Sequence, residues 1–566
     1  PAAVTASRHG EPGARAQLGE TAGAGHGTPA ALPARVLAKV HSAATLGIDA
    51  YAIEVEVDFA GGLPAYHLVG LPATAVQEGR FRTRAALSNS GFPLEAAKVT
   101  VNLAPADVRK DGAAFDLPIA VGMLAAAQRL PAQALAGRLL LGELSLDGAL
   151  KPVRGVLPIV GFAARNGFRE VIVPRANAAE AVLVRDITVR AAERLDEVVD
   201  LLLGRSEPPP AEALAAQAAP ACDPEASRPL PDYCDVRGQG VAISALEIAA
   251  AGGHNVLLVG PPGSGKTMLA QRVPSILPPM TWEEALESTT IHSVAGLLRG
   301  RGLLSMRPFR APHHTVSAAG LVGGGEQVRP GEVSLAHNGV LFLDELPEYP
   351  RHCLESLRQP LEDKKLTLVR ARRAVTYPAA FMLVAAMNPC PCGHAGDPLR
   401  TCTCTPDRVQ RYRGRISGPL LDRFDMHVWV GVAPYRELLA APAGEPSRII
   451  RERVSAARAR QRQRFAKLPG VHANAHMAAQ HLRRFCRLDG ACQDLLAAYS
   501  GRTGVSTRAI ERIIRIARTL ADLSDRDRLS DEDIVRATGY RYLDQPLAIE
   551  LKEDYGGGEI ARDLAS

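Results

Sequence analysis

The clearest candidate for chemistry lies at residues 255–267, where a short apolar run leads into a glycine-rich turn and Lys266-Thr267. The spacing fits the phosphate-binding pattern G-x-x-x-x-G-K-[ST]. Its members are Gly260, Pro261, Pro262, Gly263, Ser264, Gly265, Lys266 and Thr267. Glycines let backbone N–H groups point at a phosphate, the lysine can reach the β and γ oxygens, and the threonine hydroxyl can bind Mg²⁺. Every fixed position is filled, which disfavours a plain turn, so we predict a site for a nucleoside triphosphate and Mg²⁺.

Two further apolar runs end in polar side chains that could complete a hydrolysis site. LFLDEL at 341–346 ends in Asp344 and Glu345. We expect Asp344 to hold Mg²⁺ and Glu345 to polarise the attacking water; the alternative is a buried strand capped by exposed acids. FMLVAAMN at 381–388 ends in Asn388. This run resembles sensor 1 of AAA+ ATPases, which implies that Asn388 orients the water near the γ-phosphate.

Two arginines are candidates for the hydrolysis site. A lone arginine on a helix is usually a solvated residue, so each of these predictions depends on the motif around the arginine. SGPLLDRFD at 417–425 resembles the arginine-finger segment of the chelatase and MCM branch, which implies that Arg423 reaches a neighbouring subunit's γ-phosphate. GVSTRAIERI at 504–513 resembles a sensor 2 helix, which implies that Arg508 contacts nucleotide within its own subunit. An arginine finger acting in trans requires a partner subunit, so the resemblance implies a ring, a homo-hexamer.

Basic side chains indicate a nucleic-acid partner. LTLVRARRAVTY at 366–377 predicts a hairpin with Arg370, Arg372 and Arg373 at its tip, and it resembles the pre-sensor-1 hairpin that faces the channel in related ring helicases. Such a tip suits phosphate contacts along single-stranded or branched DNA. The alternative is a solvated hairpin whose arginines discourage edge pairing.

Two other basic segments are less specific. Residues 307–325 resemble the helix-2 insertion of this branch and contribute Arg307 and Arg310, which we also expect at the DNA, and the pair His313/His314. Residues 448–464 predict a helix with seven arginines and one glutamate. Two interpretations of this helix stay open: a lid helix that touches a neighbouring subunit or nucleotide, and a surface that binds DNA.

A cysteine cluster follows the sensor 1 run. Cys390, Cys392, Cys402 and Cys404 give C-x-C-x9-C-x-C, which fits a tetrahedral thiolate site for structural Zn²⁺. His394 could replace one ligand. Free thiols or a redox-sensitive loop are the alternatives.

Composition predicts several domains and a cytoplasmic location. The chain has 566 residues, 22% of them charged, and a formal net charge of +6, a mild excess that permits nucleic acid without requiring it. No apolar run is long enough to span a membrane and nothing at the start resembles a signal peptide. Nine cysteines, an odd number, disfavour a disulfide framework. The first residue is proline, and the sequence leaves open whether the native start is complete.

The predicted fold class is α/β with five segments. We expect a disordered leader (1–33), a Lon-protease-like domain (34–205), a Pro/Ala-rich linker (206–231), a P-loop AAA+ α/β domain (232–435) and a C-terminal helical lid with a tail (436–566). KDGAAFD at 110–116 and GELSLDGALKP at 142–152 resemble the core of the Lon fold. The positions that match the Lon serine and lysine are Ala114 and Leu157, so we expect no peptidase activity.

The whole arrangement resembles one family. Residues 62–92 are similar to the N-terminal domain of the ComM/YifB family of magnesium-chelatase-like proteins, and the resemblance continues to about Pro546. It implies that the bound nucleotide is ATP, and it implies an ATP-driven DNA helicase that promotes branch migration during natural transformation, with recombination proteins among its partners. The alternatives are a magnesium-chelatase-type metal-insertion motor and a protein-remodelling AAA+ module without a DNA client.

Overall fold

The fold is described from a computed structural model. It describes residues 37–61, 63–108, 110, 112–206, 211, 213, 230–298, 300–325, 328–370, 373–397, 400–432 and 442–544. None of the helices in these ranges combines the length and the apolar character needed to cross a membrane. The leader at 1–33 lies outside the described residues, as does most of the linker, so the five segment boundaries stay a prediction.

A seven-stranded mixed sheet organises the N-terminal part. Its strands are β1 (Leu37–Leu46), β2 (Asp49–Ala60), β3 (Ala65–Val69), β4 (Lys98–Ala104), β5 (Arg138–Leu140), β8 (Glu170–Pro174) and β9 (Thr188–Ala192), and a small hairpin is formed by β6 (Glu143–Leu144) and β7 (Leu150–Lys151). The order is β3-β4-β2-β1-β5-β8-β9. The helices are Thr74–Asn89, Asp116–Ala126, Val156–Arg165, Ala178–Ala181 and Leu195–Leu202.

The core of this part follows from the alternation in the sequence. In β2 the side chains of Ile53, Val55 and Val57 are fully buried, while the residues between them are partly exposed. Each such buried side chain stabilises the fold by roughly 1.5–3 kcal/mol. Helix Asp116–Ala126 packs on the same face and is buried along its whole length.

The second part is built on a five-stranded sheet in which all described pairs are parallel. Its strands are β10 (Val256–Val259), β11 (Phe309–Arg310), β14 (Val340–Leu343), β17 (Met382–Met387) and β18 (Met426–Trp429), in the order β11-β14-β17-β10-β18. Strands β10, β14 and β17 are buried along their whole length, as expected for parallel strands covered on both faces. Because they run in the same direction, their carboxyl ends share one edge of the sheet.

Helices and two hairpins surround this sheet. The helices are Gly240–Gly252, Lys266–Ile276, Trp282–Ala295, Ala318–Val322, Glu332–Leu335, Arg351–Ser356, Arg358–Asp363, Pro406–Arg413 and Gly418–Leu421. The hairpins pair β12 (Gly323–Gly324) with β13 (Arg329–Pro330) and β15 (Lys365–Arg370) with β16 (Arg373–Pro378). The second hairpin confirms the predicted pair of strands at 366–377.

The C-terminal part is helical, as predicted. Its helices are Ser447–Phe465, Ala479–Phe485, Gly490–Thr503, Thr507–Leu523 and Asp531–Gly539. The long helix Thr507–Leu523 is strongly amphipathic, and its buried face joins the same core as β10. A buried network ties this region together: Asp522 accepts hydrogen bonds from Arg464, Arg518 and Asn474.

The N-terminal part contacts the parallel-sheet part through helix Trp282–Ala295. Ser293 on that helix donates a hydrogen bond to the buried Glu180 over 2.5 Å, and its carbonyl accepts one from the Gly155 N–H. Leu157, at the position of the Lon lysine, is buried beside Ser293, while the Ala114 carbonyl accepts a hydrogen bond from Gly142.

Candidate active site

A cleft of about 390 Å³ lies at the carboxyl edge of the parallel sheet. The phosphate-binding loop follows β10, Asp344 and Glu345 follow β14, and Asn388 follows β17. The cleft is lined by Pro262, Gly263, Gly265, Lys266, Thr267, Met268, Asp344, Glu345, Met387 and Asn388. Three motifs that are far apart in the sequence therefore meet at one site, because each ends a parallel strand.

Lys266 is held inside the loop. Its ammonium group donates hydrogen bonds to the carbonyls of Gly260 and Pro261, each over 2.8 Å, and to the Asn388 side-chain oxygen over 3.3 Å. Burial lowers the pKa of Lys266 from its usual value to about 8. The lysine is thus oriented before nucleotide binds, and phosphate oxygens can replace the loop carbonyls as its partners.

The side chains expected to bind Mg²⁺ fit that ion. The Thr267 hydroxyl lies 2.6 Å from Asp344 Oδ2, so two hard oxygen ligands converge on one point beside the loop. Glu345 comes next in the chain and adopts a left-handed backbone conformation, with φ of 51°, which is uncommon for a residue other than glycine. Such strain is typical of functional sites, and Glu345 is one of the residues that line the cleft.

His314 is a neighbour of this site that the sequence did not reveal. Its Nδ1 lies 3.4 Å from Glu345 Oε2. His314 belongs to the segment that resembles the helix-2 insertion, 31 residues before Glu345 in the chain. No local pattern could have indicated the contact, which joins that insertion to the predicted hydrolytic carboxylate.

Arg423 and Arg508 lie together at the opposite edge of the parallel sheet. The Arg423 carbonyl accepts a hydrogen bond from the Asn255 side chain over 2.9 Å, and Asn255 directly precedes β10, whereas the phosphate-binding loop follows it. From Asn255 to Gly260 an extended chain covers about 16 Å. Burial, and then the like charges of Arg508 and Arg358, lower the pKa of Arg423.

The surroundings of Arg423 leave its guanidinium partly unsatisfied. It forms an ion pair with Glu362, but its buried Nε has no hydrogen-bond partner among the described residues. Arg512, one turn after Arg508, pairs with Asp422 and Asp425 and so anchors the helix beside Arg423. The structure thus places Arg508 near Arg423, while the role of Arg423 in trans and the contact of Arg508 with its own subunit's nucleotide stay predictions.

The predicted DNA contacts are only partly described. The backbone of β15 and β16 carries Arg370 and Arg373 to the hairpin tip, but their side chains and all of Arg372 lie outside the described residues. Arg307 donates to the Asn338 carbonyl and to Glu284, both over 2.7 Å. Arg310 forms a two-pronged pair with Glu332. Both of these arginines thus have partners within the chain, and their DNA contacts stay a prediction.

The arginine-rich helix Ser447–Phe465 is tied mainly to the protein itself. Arg453 pairs with Glu247 and Glu445, and Arg464 pairs with Asp522. Arg448, Arg458 and Arg460 also donate to acceptors within the chain. The many arginines of this helix are therefore explained largely by intramolecular pairing.

The four clustered cysteines belong to the segment that follows β17, and the first of them, Cys390, comes two residues after Asn388. The sulfur atoms of Cys390, Cys392 and Cys402 are 3.4–3.6 Å apart in pairs, and the ligand atoms of all four cysteines lie within 4.8 Å of one another. His394 instead contacts Asp397 over 3.1 Å. The set of ligands that the sequence predicted is therefore brought together.

Fold and site together define the second part of the chain as an AAA+ P-loop module. Family models for magnesium chelatase subunit ChlI match residues 232–438 and, for its C-terminal region, 444–541; a third, described as subunit ChlI of Mg-chelatase, matches 55–177. The uncharacterized protein YifB of Salmonella typhimurium is 44% identical over 521 residues, covering 91% of this chain and 99% of its own length. Competence protein ComM of Haemophilus influenzae is 42% identical over 509 residues, 90% of this chain and 98% of its own length.

These matches confirm the predicted family: the chain belongs to the YifB/ComM family of magnesium-chelatase-like AAA+ proteins. The Lon-like character of the N-terminal part is also confirmed, because Lon protease 2 of Bacillus subtilis is 31% identical over 101 residues, 18% of each chain.

Proposed function

We propose that the protein is an ATP-driven DNA helicase: a ring of six copies that hydrolyses ATP and promotes branch migration during natural transformation or recombination. The observation that carries the proposal is the division of the predicted hydrolysis residues between two edges of one sheet. Lys266, Thr267, Asp344, Glu345 and Asn388 share the cleft, whereas Arg423 lies at the other edge. A second copy is needed to bring Arg423 to a cleft.

The residues in the cleft have separate roles in the proposed reaction. The loop N–H groups and Lys266 bind the phosphates, and Thr267 and Asp344 would hold Mg²⁺, which would supply positive charge beside them. Glu345 polarises the water, and Asn388 orients it. Arg423 of the next subunit stabilises the charge of the transition state, an effect worth about 10³–10⁵ in turnover for such arginines.

The hairpin β15/β16 supports DNA as the client. Its strand β16 ends at Pro378, residues 379–381 lead into β17, and Asn388 directly follows β17. A single six-residue buried strand therefore connects the arginine-rich hairpin to the nucleotide cleft. Phosphate contacts by Arg370, Arg372 and Arg373 would follow a DNA strand irrespective of its sequence. A relative named as a competence protein supports a task in DNA uptake.

A metal-insertion motor is the second candidate, because the matching family models are those of magnesium chelatase. Both candidates use the same ATP site, and only their clients differ. We place the motor in the cytoplasm, because none of the eight described cysteines forms a disulfide. We also expect recombination proteins among its partners.

The test measures the ATPase rate and the particle mass of the purified protein without DNA, with single-stranded DNA and with a four-way junction. We expect branched DNA to raise the rate several-fold and to favour hexamers. The variant R370A/R372A/R373A should lose this stimulation and keep the DNA-free rate. Its matched control, R483A/R487A/R528A, removes three exposed charges outside the hairpin and outside the helix Ser447–Phe465, and it should behave as the native chain.

The DNA client is rejected if neither DNA changes the rate or the assembly. If the hairpin variant and the native chain bind DNA equally, the role of Arg370, Arg372 and Arg373 in holding DNA is rejected. Equal losses in both triple variants would show binding through general basicity rather than through the hairpin.

A further inference from the structure

We propose that Cys390, Cys392, Cys402 and Cys404 hold one Zn²⁺, and that this metal centre positions two elements of the nucleotide cleft, so that ATP turnover depends on zinc. The dependence of turnover on zinc rests on the proposed ATPase function. The site itself rests on four thiols whose sulfur atoms all lie within 4.8 Å of one another. A zinc–sulfur bond of about 2.3 Å gives sulfur–sulfur edges of about 3.8 Å, close to the 3.4–3.6 Å observed for three of the cysteines.

Backbone donors around the sulfurs also fit a thiolate metal site. The N–H of Ala395 donates to the Cys390 sulfur over 3.3 Å, and the N–H of Cys404 donates to the Cys402 sulfur over 3.4 Å. Such bonds stabilise the negative charge of thiolates and orient them toward a metal. Four soft sulfur ligands in this arrangement select Zn²⁺ over Mg²⁺ or Ca²⁺.

The first link from this centre to the cleft runs through the main chain. Cys390 is fully buried and lies two residues after Asn388, whose side chain contacts Lys266. The carbonyl between them, on Pro389, accepts a hydrogen bond from Arg413. A metal that fixes Cys390 therefore fixes the end of β17 and the direction of the Asn388 amide.

The second link is a direct contact with the phosphate-binding loop. Gly393, within the cysteine loop, lies against Pro262: a Cβ atom at Gly393 would be 2.6 Å from Pro262 Cδ. The cysteine loop thus supports the outer side of the loop that holds the phosphates. Gly396 packs in the same way on Trp429, because a Cβ atom added at Gly396 would lie 3.2 Å from the Trp429 ring. The fluorescence of Trp429 can therefore report on the cysteine loop.

The consequence is a graded effect on the reaction. Without the metal, the loop loses its crosslink, and both Asn388 and Pro262 lose a fixed neighbour. A misplacement of about 1 Å at a reacting group can cost on the order of 10²-fold in rate. We therefore expect kcat to fall by that order, while the affinity for nucleotide changes much less, because Lys266 and the loop N–H groups remain.

The test compares the native chain with C392S/C404S and with the control C234S, which removes a cysteine outside the cluster. Measurements are zinc content by elemental mass spectrometry, binding of a fluorescent ATP analogue, ATPase kcat, and Trp429 emission in a W282F background. We expect about one zinc per native and C234S chain and little in C392S/C404S, with a lower kcat and shifted Trp429 emission.

A second variant tests the contact without removing a thiol. G393A adds a Cβ against Pro262 at a position with φ of 86°, whereas its matched control, G470A, has φ of 79° and open space around it. G393A should keep its zinc and lose turnover, and G470A should keep both.

Two results would overturn the inference: native protein free of zinc after growth with added zinc, or zinc-free C392S/C404S with native kcat and emission. If the native chain has no ATPase activity, the proposed function fails. Zinc content, analogue binding and Trp429 emission then still decide the metal centre and its contact with the cleft.

Discussion

The Thr267 hydroxyl donates a hydrogen bond to the Asp344 carboxylate, with 2.6 Å between Oγ1 and Oδ2. Thr267 is the second residue of the helix that follows the phosphate-binding loop, and Asp344 directly follows β14, which lies two strands from β10 in the sheet. The bond brings together two oxygen ligands from distant parts of the sequence and thereby positions them for one Mg²⁺ ion.

Replacement of Thr267 tests this pair. T267V has nearly the same shape but lacks the hydroxyl, so we expect kcat to fall by about 10²-fold and the concentration of Mg²⁺ needed for half-maximal rate to rise. T267S keeps the hydroxyl and should stay close to the native rate. Steady-state ATPase measurements over a Mg²⁺ titration distinguish the two. Equal rates for T267V and T267S would remove Thr267 from the metal site.

We expect Glu345 to polarise the attacking water and to contribute little to the binding of ATP. E345Q should still bind ATP, but its turnover should fall by about 10²–10⁴-fold because the amide cannot take a proton. The expected product is a ring with ATP trapped, measured by size-exclusion chromatography with nucleotide analysis. The control is E348Q, since Glu348 is exposed in the same segment and pairs with Arg415. Normal turnover in E345Q would exclude Glu345 from the reaction.

Mixed rings test whether Arg423 acts on a neighbour. R423A and K266A should each lose nearly all activity, but a 1:1 mixture restores an intact loop opposite an intact arginine at about a quarter of the interfaces. We therefore expect the mixture to recover ATPase activity. No recovery would contradict a shared site.

The same mixing experiment, with R508A in place of R423A, separates the two possible roles of Arg508. If Arg508 acts in trans, as its place beside Arg423 favours, R508A mixed with K266A also recovers activity. If it acts on its own subunit's nucleotide, no subunit in the mixture has both groups intact and the rate stays low.

Nucleotide binding should take up protons near pH 8. The pKa of Lys266 is lowered to about 8 by burial, and phosphate oxygens favour its charged form, so binding raises that pKa. At pH 8 the uptake should be roughly half a proton per site, and affinity should fall as pH rises through this value. Calorimetry in buffers of different ionisation enthalpy measures the uptake. K266R, which stays charged, is the control, and equal uptake in both would contradict the assignment.

The residues of the cleft could be predicted because each belongs to a local pattern. The glycine-rich loop, the acids after β14 and the amide after β17 are each encoded within a dozen residues. Because these strands run parallel, their carboxyl ends share one edge of the sheet, and the three motifs meet there. The spacing of the four cysteines is equally local, and the structure brings their sulfur atoms together.

Other relationships depend on tertiary packing, and the sequence does not show them. The contact of His314 with Glu345 joins segments that share no pattern. The pairing of Arg310 with Glu332 depends on how the chain folds back on itself. The proximity of Arg508 to Arg423 likewise depends on the packing of helix Thr507–Leu523, and the expected contact of Arg508 with its own subunit's nucleotide stays a prediction.

The most direct test of the motor is strand displacement on a three-strand joint molecule with one labelled strand. With ATP and Mg²⁺ we predict release of the labelled strand by the native chain, and none by E345Q, although E345Q still binds the substrate. The account is contradicted if the native chain hydrolyses ATP in the presence of the joint molecule and leaves the labelled strand in place.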